Sequence, residues 1–76
     1  MITIKYFGLI AEVTQCKEEN INFSGSLISE LLLFLFSKYP DLKNKDFQIA
    51  QNQEFVSIDT KVTGNELALL PPFAGG

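Results

Sequence analysis

The chain has 76 residues and a formal charge of −3 at pH 7, with six lysines against nine acidic residues. A chain of this length forms one domain with a small core. It lacks histidine, arginine and tryptophan, and Cys16 is its only cysteine. This composition excludes the usual general base, metal cluster and nucleophile–base pair. We therefore expect a single domain over residues 1–76 that is not an enzyme on its own and, because its lysines are scattered, has no nucleic-acid partner.

The same composition predicts the compartment. One cysteine cannot form an internal disulfide, and no apolar N-terminal segment resembles a signal peptide. The longest apolar run, Leu31 to Phe36, is too short to cross a bilayer. We expect a cytoplasmic protein that does not bind membranes, with Cys16 as a bystander.

The first elements in the chain are two predicted strands. Ile2–Phe7 alternates with period two, which places Ile2, Ile4 and Tyr6 on one face and Thr3, Lys5 and Phe7 on the other. A connection from Gly8 to Cys16 leads to a second alternating segment, Glu19–Phe23, which ends at Ser24–Ser26. The pattern predicts a β-hairpin.

From Leu27 the apolar period becomes helical. The stripe consists of Ile28, Leu31, Leu32, Leu35 and Tyr39. Ser26 is the expected N-cap, and Pro40 closes the segment. Leu33 and Phe34 lie off the stripe, and we expect them to be partly buried because a small core draws on flanking positions.

The second half of the chain predicts three short strands. Asp41–Asp46 is polar and turn-like, and two strands, Phe47–Ala50 and Phe55–Ile58, flank the turn Gln51–Glu54. The turn Val62–Glu66 precedes a last strand, Leu67–Leu70, which Pro71 ends because proline cannot donate a ladder hydrogen bond. The order is ββαβββ, and the fold class is α+β with one main helix on a mixed sheet.

Strand parity predicts a contact surface. If Ile2, Ile4 and Tyr6 face the helix, Phe7 faces away from it. If Val56 and Ile58 face the helix, Phe55 faces away. In the last strand, Leu67 and Leu69 face the helix, so Leu70 also faces away. An apolar patch of this kind is typical of a partner site. The alternative is that bends at the strand ends tuck Phe7 or Phe55 into the core.

The C-terminus carries the most specific pattern. Gly75 and Gly76 follow the stiff pair Pro71–Pro72, and glycine allows a backbone to pass close to other groups because it has no Cβ. We expect the terminal carboxylate to be the working group, threaded into the narrow active site of a partner.

Three segments together resemble MoaD, the family of small subunits of molybdopterin synthase. They are Tyr6–Thr14, Gly64–Glu66 and Leu69–Gly76. The resemblance covers essentially the whole chain, and the prolines before the paired glycines resemble MoaD more than ThiS, the related thiamine sulfur carrier. It implies a ubiquitin-like β-grasp fold with a flexible tail over residues 71–76.

The resemblance also implies a function. An E1-like enzyme of the MoeB type would use ATP to adenylate Gly76, sulfur would replace the nucleotide to give a thiocarboxylate, and Gly75 would be its slender neighbour. The tail would then enter a large subunit of the MoaE type and donate sulfur to cyclic pyranopterin monophosphate. The chain itself would bind no cofactor and no metal.

Partner contacts follow from the same resemblance. Phe7, Phe55 and Leu70 fall where the docking surface of the family is expected, and Pro71, Pro72, Phe73 and Ala74 belong to the inserted tail. The implied states are a monomer alone and a heterotetramer of two small and two large subunits.

Two departures from the family pattern concern partner preference. Gln15–Cys16 stands where a glycine is common, and the turn often written Asp-Gly-Asp-Glu reads Thr63-Gly64-Asn65-Glu66. The alternatives to the molybdopterin pathway are a sulfur carrier for thiamine or tRNA thiolation, a protein modifier joined through Gly76 to a lysine, and a structural interaction module.

Overall fold

The structure, a computed structural model, describes residues 1–63 and 65–72. These residues form five strands: β1 (Ile2–Tyr6), β2 (Glu18–Ile21), β3 (Gln48–Gln51), β4 (Glu54–Val56) and β5 (Glu66–Leu70). Two α-helices, α1 (Leu9–Thr14) and α2 (Ile28–Lys38), and a 3-10 helix at Pro40–Asn44 complete the described elements.

The strands form one mixed sheet in the order β2-β1-β5-β3-β4. The central pair, β1 and β5, is parallel, and the three other pairs are antiparallel. The predicted α+β class, the mixed sheet and the order of strands around the main helix are confirmed.

The core lies between α2 and one face of the sheet. On the sheet side, Ile4, Leu67 and Leu69 are fully buried, and on the helix side Ile28, Leu31 and Leu35 are fully buried in the same cluster. Each such side chain contributes about 1.5–3 kcal/mol when it leaves water. The predicted parity of β1 and β5 and most of the helical stripe are therefore correct. Of the two residues expected to be partly buried, Phe34 is 44% exposed, as expected, whereas Leu33 is 67% exposed on the outer face of α2.

The start of α2 corrects the predicted cap. The N-cap is Leu27, not Ser26, and the helix begins at Ile28. Leu27 is held extended by an isolated bridge to Lys61. The Glu30 carboxylate accepts hydrogen bonds from the backbone N–H groups of Leu27 and Ser26 (2.8 Å each) and from the Ser26 hydroxyl (3.0 Å). Thus a glutamate in the first turn satisfies the donors that precede the helix.

The loop after β4 corrects a second expectation. The strand ends at Val56, and Ile58, expected to face the helix, is half exposed. Beyond Val56 the chain turns so that the carbonyls of Ile58 and Thr60 accept hydrogen bonds from Ser29 and Ile28, each at 2.9 Å. The loop therefore provides acceptors for backbone N–H groups in the first turn of α2. The Ile58 and Thr60 carbonyls bond to the helix and not to a neighbouring strand.

Two connections contain helices that the sequence did not predict. The connection Gly8–Cys16 holds α1, which buries Ile10 and Thr14, and the turn-like segment Asp41–Asp46 overlaps the 3-10 helix, which buries Leu42. Both are short, and both gain their stability from an apolar side chain placed in the core.

Candidate functional site

The face of the sheet opposite α2, called the open face here, carries the candidate site. One row of directly paired residues crosses it from β1 to β4: Lys5, Ala68, Ala50 and Phe55. Because side chains alternate along a strand, this row points away from the buried Ile4 and Leu67. The two alanines at the centre are the smallest members of the row.

Small central residues between larger ones create a hollow, called the open-face depression. Its volume is about 360 Å³, and its lining consists of Lys5, Phe7, Ala50, Asn52, Gln53, Phe55, Glu66, Leu67, Ala68 and Leu70. An apolar hollow of this size is suited to receive a side chain of a partner.

The structure brings together the three residues that parity selected. Phe7 is 45% exposed, Phe55 is 69% exposed, and Leu70 is half-buried. All three line the open-face depression, so the alternative in which Phe7 or Phe55 enters the core is wrong. Their role in docking remains a prediction.

Charge is confined to one end of the depression. The Lys5 ammonium lies 3.4 Å from the Glu66 carboxylate, and both side chains are substantially exposed. A pair in this setting contributes about 0–1 kcal/mol to stability. Among the described residues, these two are the only titratable groups in the lining. That part of the lining is therefore suited to binding and holds no general base or nucleophile pair.

The start of the predicted tail lies at the edge of this surface. Pro71 and Pro72 are half-buried. Pro71 packs so closely over Gly8 that a Cβ on Gly8 would lie 2.7 Å from the proline Cγ. The Gln48 side-chain amide donates a hydrogen bond to the Pro72 carbonyl (3.3 Å). The predicted tail residues Phe73, Ala74, Gly75 and Gly76 lie outside the described residues.

A second groove, of about 420 Å³, lies at the same tail base, lined by Leu9, Ile10, Asn44, Lys45, Asp46, Pro71 and Pro72. Leu9 is largely exposed there, and the sequence analysis does not identify it because the pattern of this segment predicts only a connection between strands. The helical spacing of Ile10 and Thr14, both buried on α1, is the signal that could have identified it.

A polar network joins β1, β2 and the end of α2 away from the depression. The Glu19 carboxylate accepts hydrogen bonds from the hydroxyls of Tyr6 (2.6 Å) and Tyr39 (2.8 Å) and from the Lys38 ammonium (2.7 Å). The two tyrosine rings also meet edge to face at 6.1 Å. The network fixes the C-terminal end of the helix on the sheet.

The network shifts the pKa of each acidic group in it. Burial alone would raise the pKa of Glu19, but the hydrogen bonds from Lys38, Tyr6 and Tyr39 outweigh it and lower that pKa. The pKa values of Tyr6 and Tyr39 are raised above the ordinary value of a tyrosine. Burial is the larger cause, and the hydrogen bond to Glu19 is the second. Glu19 is thus charged and both phenols are neutral at physiological pH, which is the state in which all three bonds form.

No metal or membrane site emerges from the described part of the chain. Across residues 1–63 and 65–72, no three acidic or cysteine side chains are grouped so that they could hold a metal ion. None of the helices in these ranges is both long and apolar enough to traverse a bilayer. Cys16 is a half-buried free thiol packed against the core.

The topology and the position of the site define the class of protein. A hairpin, a helix packed across the sheet, and a last strand that returns parallel to the first form a ubiquitin-like β-grasp domain, in which Pro71 follows the last strand beside Gly8. The protein belongs to the ThiS family, whose sequence model matches residues 4–76, and is thus a member of the ubiquitin-like sulfur carriers.

Solved structures share this fold. A proposed molybdopterin converting factor subunit 1 from Pyrococcus furiosus has a TM-score of 0.85 and 23% identity, covering 93% of this chain and 95% of that chain. SAMP1 from Haloferax volcanii has a TM-score of 0.79 and 24% identity, covering 99% and 98%. A second structure from that organism, small archaeal modifier protein 1, has a TM-score of 0.79, 23% identity and coverage of 93% and 95%. At these identities the likeness establishes the fold.

Proposed function

We propose that this protein carries sulfur as a thiocarboxylate on Gly76 and donates it to cyclic pyranopterin monophosphate in molybdopterin biosynthesis. The observation that carries the proposal is the position of the open-face depression beside the tail base. An apolar contact surface for a partner is formed by Phe7, Phe55 and Leu70. Pro71 follows Leu70 and packs on Gly8, next to this surface. Membership of the ThiS family and the name of the Pyrococcus furiosus structure support the same function.

The chemistry needs no catalytic side chain from this chain. A carboxylate is a poor electrophile, so an E1-like enzyme of the MoeB type first joins the Gly76 carboxylate to the α-phosphate of ATP and releases pyrophosphate. Sulfide (HS⁻) from the sulfur donor then attacks the acyl carbon, AMP leaves, and the product loses a proton to give the thiocarboxylate. Basic groups and phosphate-binding groups would belong to the activating enzyme. No bound cofactor and no metal are expected on the carrier.

Delivery would take place in a complex with a large subunit of the MoaE type. The open face would dock on the large subunit, and residues 71–76 would extend into its active site, where the slender Gly75 lets the thiocarboxylate approach the pterin. Two such transfers supply the two sulfurs of the dithiolene. In this proposal the protein is a cytoplasmic, non-catalytic subunit. It is a monomer on its own and forms a heterotetramer of two small and two large subunits with its partner.

The intact mass of the protein tests the carrier chemistry. The protein is incubated with an E1-like enzyme, ATP and a sulfur donor, and a mass shift equal to the exchange of one oxygen for sulfur is expected. A variant without Gly76 is the matched control and should show no shift. An unchanged mass with an activating enzyme proven active on another carrier would refute the proposal.

A second candidate is a protein modifier, favoured by the likeness to the two Haloferax volcanii structures, one of them named a small archaeal modifier protein. Both candidates share adenylation of Gly76 and differ in the acceptor. Conversion of cyclic pyranopterin monophosphate by the thiocarboxylated protein and the large subunit supports the carrier. Conjugates of this chain on lysines of other proteins, which survive denaturing gels and disappear without Gly76, support the modifier.

A further inference from the structure

The turn between β3 and β4 has an unusual backbone for its sequence. Gln51 pairs with Glu54, so the loop contains only Asn52 and Gln53. Their φ angles are 53° and 71°, the left-handed combination of a type I′ turn. Asparagine tolerates this conformation, but at the second position glycine is the usual residue, because a side chain there crowds the backbone. Gln53 therefore holds a strained conformation.

Contacts within the described part of the protein do not account for this glutamine. Across residues 1–63 and 65–72, no hydrogen bond or ion pair involves its side-chain amide. Gln53 instead lines the open-face depression together with Asn52 and Phe55. The strained residue thus lies at the edge of an apolar hollow, and its side-chain amide has no hydrogen-bond partner among the described residues.

Strain alone would not distinguish this position. Gln15, at the end of α1, has a similar φ of 62°, but it does not line the depression. What singles out Gln53 is the combination of strain with a place at the edge of the docking surface. Protein interfaces have an apolar centre surrounded by a polar rim that supplies hydrogen bonds, and strain that persists at such a place points to function.

We propose that Gln53 is a specificity-determining residue of the docking surface. Its amide forms a hydrogen bond with a polar group of the large subunit, while an apolar side chain of that subunit fills the depression over Ala50 and Ala68. This inference rests on the proposed function, in which the large subunit docks on the open face. A glycine at this position would make the turn more stable, but it would lack the side-chain amide that forms the hydrogen bond. The proposed role in binding therefore explains why a glutamine occupies a strained position.

The test compares three variants by thermal unfolding and by titration calorimetry against a purified MoaE-type large subunit of the same organism. Gln53→Gly should raise Tm by about 3–5 °C, because it relieves the strain, and should weaken Kd about five- to tenfold, because a hydrogen bond is lost. Gln53→Ala should weaken Kd equally without the gain in Tm. Gln15→Gly is the matched control. It should raise Tm similarly and leave Kd unchanged because Gln15, although its position departs from the family pattern, does not line the depression.

The outcomes separate this inference from the proposed function. A Kd of Gln53→Gly within twofold of the wild-type value, or an equal loss of affinity in Gln15→Gly, would overturn the role of Gln53 and leave the carrier function standing. A lower Tm in Gln53→Gly would overturn the strain on which the inference depends. Failure of the wild-type protein to bind the large subunit would refute docking and this inference together.

Discussion

Replacing Gly8 by alanine should destabilise the protein for two separable reasons. Gly8 has φ 57° and ψ −134°, a conformation that costs a residue with a side chain about 1–3 kcal/mol. The new Cβ would also lie 2.7 Å from Cγ of Pro71, well inside the usual carbon–carbon separation of about 3.5–4.0 Å. Relieving that overlap costs about 1–3 kcal/mol more.

The two costs sum to about 2–6 kcal/mol, which is a large share of the roughly 5–15 kcal/mol that stabilises a typical domain. At about 4–8 °C per kcal/mol for a domain of this size, we expect Tm to fall by at least about 8 °C. Urea unfolding near 10 °C extends the measurement to variants that melt close to room temperature.

A double-mutant cycle isolates the steric part of the cost. Pro71→Ala removes the ring atoms that the new Cβ would meet and leaves the backbone strain at Gly8 unchanged. The double variant should therefore be more stable than the sum of the single changes by about 1 kcal/mol or more. Additivity to within about 0.5 kcal/mol would refute the reasoning, because the glycine would then be needed for its backbone angles alone.

Three further predictions concern the network, the docking surface and the core. Because the pKa of Glu19 is lowered in the folded state, its contribution to stability is present above its unfolded pKa of about 4.3 and is lost as the pH falls through the folded value. Glu19→Gln should cost about 1–3 kcal/mol at pH 7 and flatten the acid side of a plot of urea midpoint against pH, and an unchanged acid limb would contradict this. Phe55→Ser should leave the free energy of unfolding within about 0.5 kcal/mol of the wild-type value, because this side chain is 69% exposed. The same change should weaken binding to the large subunit, measured by calorimetry, by at least about tenfold. Unchanged binding would show that Phe55 is not part of the docking surface. Leu35→Ala should cost about 2–5 kcal/mol in urea unfolding because Leu35 is fully buried, and a loss below about 1 kcal/mol would show that α2 packs differently.

The sequence predicted the parts of the fold that depend on regular periodicity. Alternation in β1 identified the buried Ile4 and the outward Phe7, and the helical period identified Leu31 and Leu35. The same alternation predicted that Phe7 and Phe55 share one face. Parity is robust here, because shifting a strand end by one or two residues does not change which face a given residue occupies.

Other features depend on contacts between distant segments, which periodicity does not report. The helix α1 has only six residues, and Gly8 at its start provides no side-chain cap, so Ile10 in the core stabilises it more than its own sequence does. The cap at Leu27 depends on Lys61 across an isolated bridge. The depression itself depends on Ala50 pairing with Ala68, a register that neither strand reveals alone.

The position of the tail follows from the central parallel pair. Because β1 and β5 run in the same direction as neighbours, both end at the same edge of the sheet, and the Phe7 amide still donates to the Leu69 carbonyl (3.1 Å) at that edge. The next residues along each strand, Gly8 and Pro71, are therefore brought into contact. The parallel pairing therefore places Pro71, the first residue after β5, beside Gly8 and Phe7 at the end of β1. If the proposed function is correct, a partner docked on the open face would meet the chain at Pro71, and the carrier would need no catalytic side chain of its own.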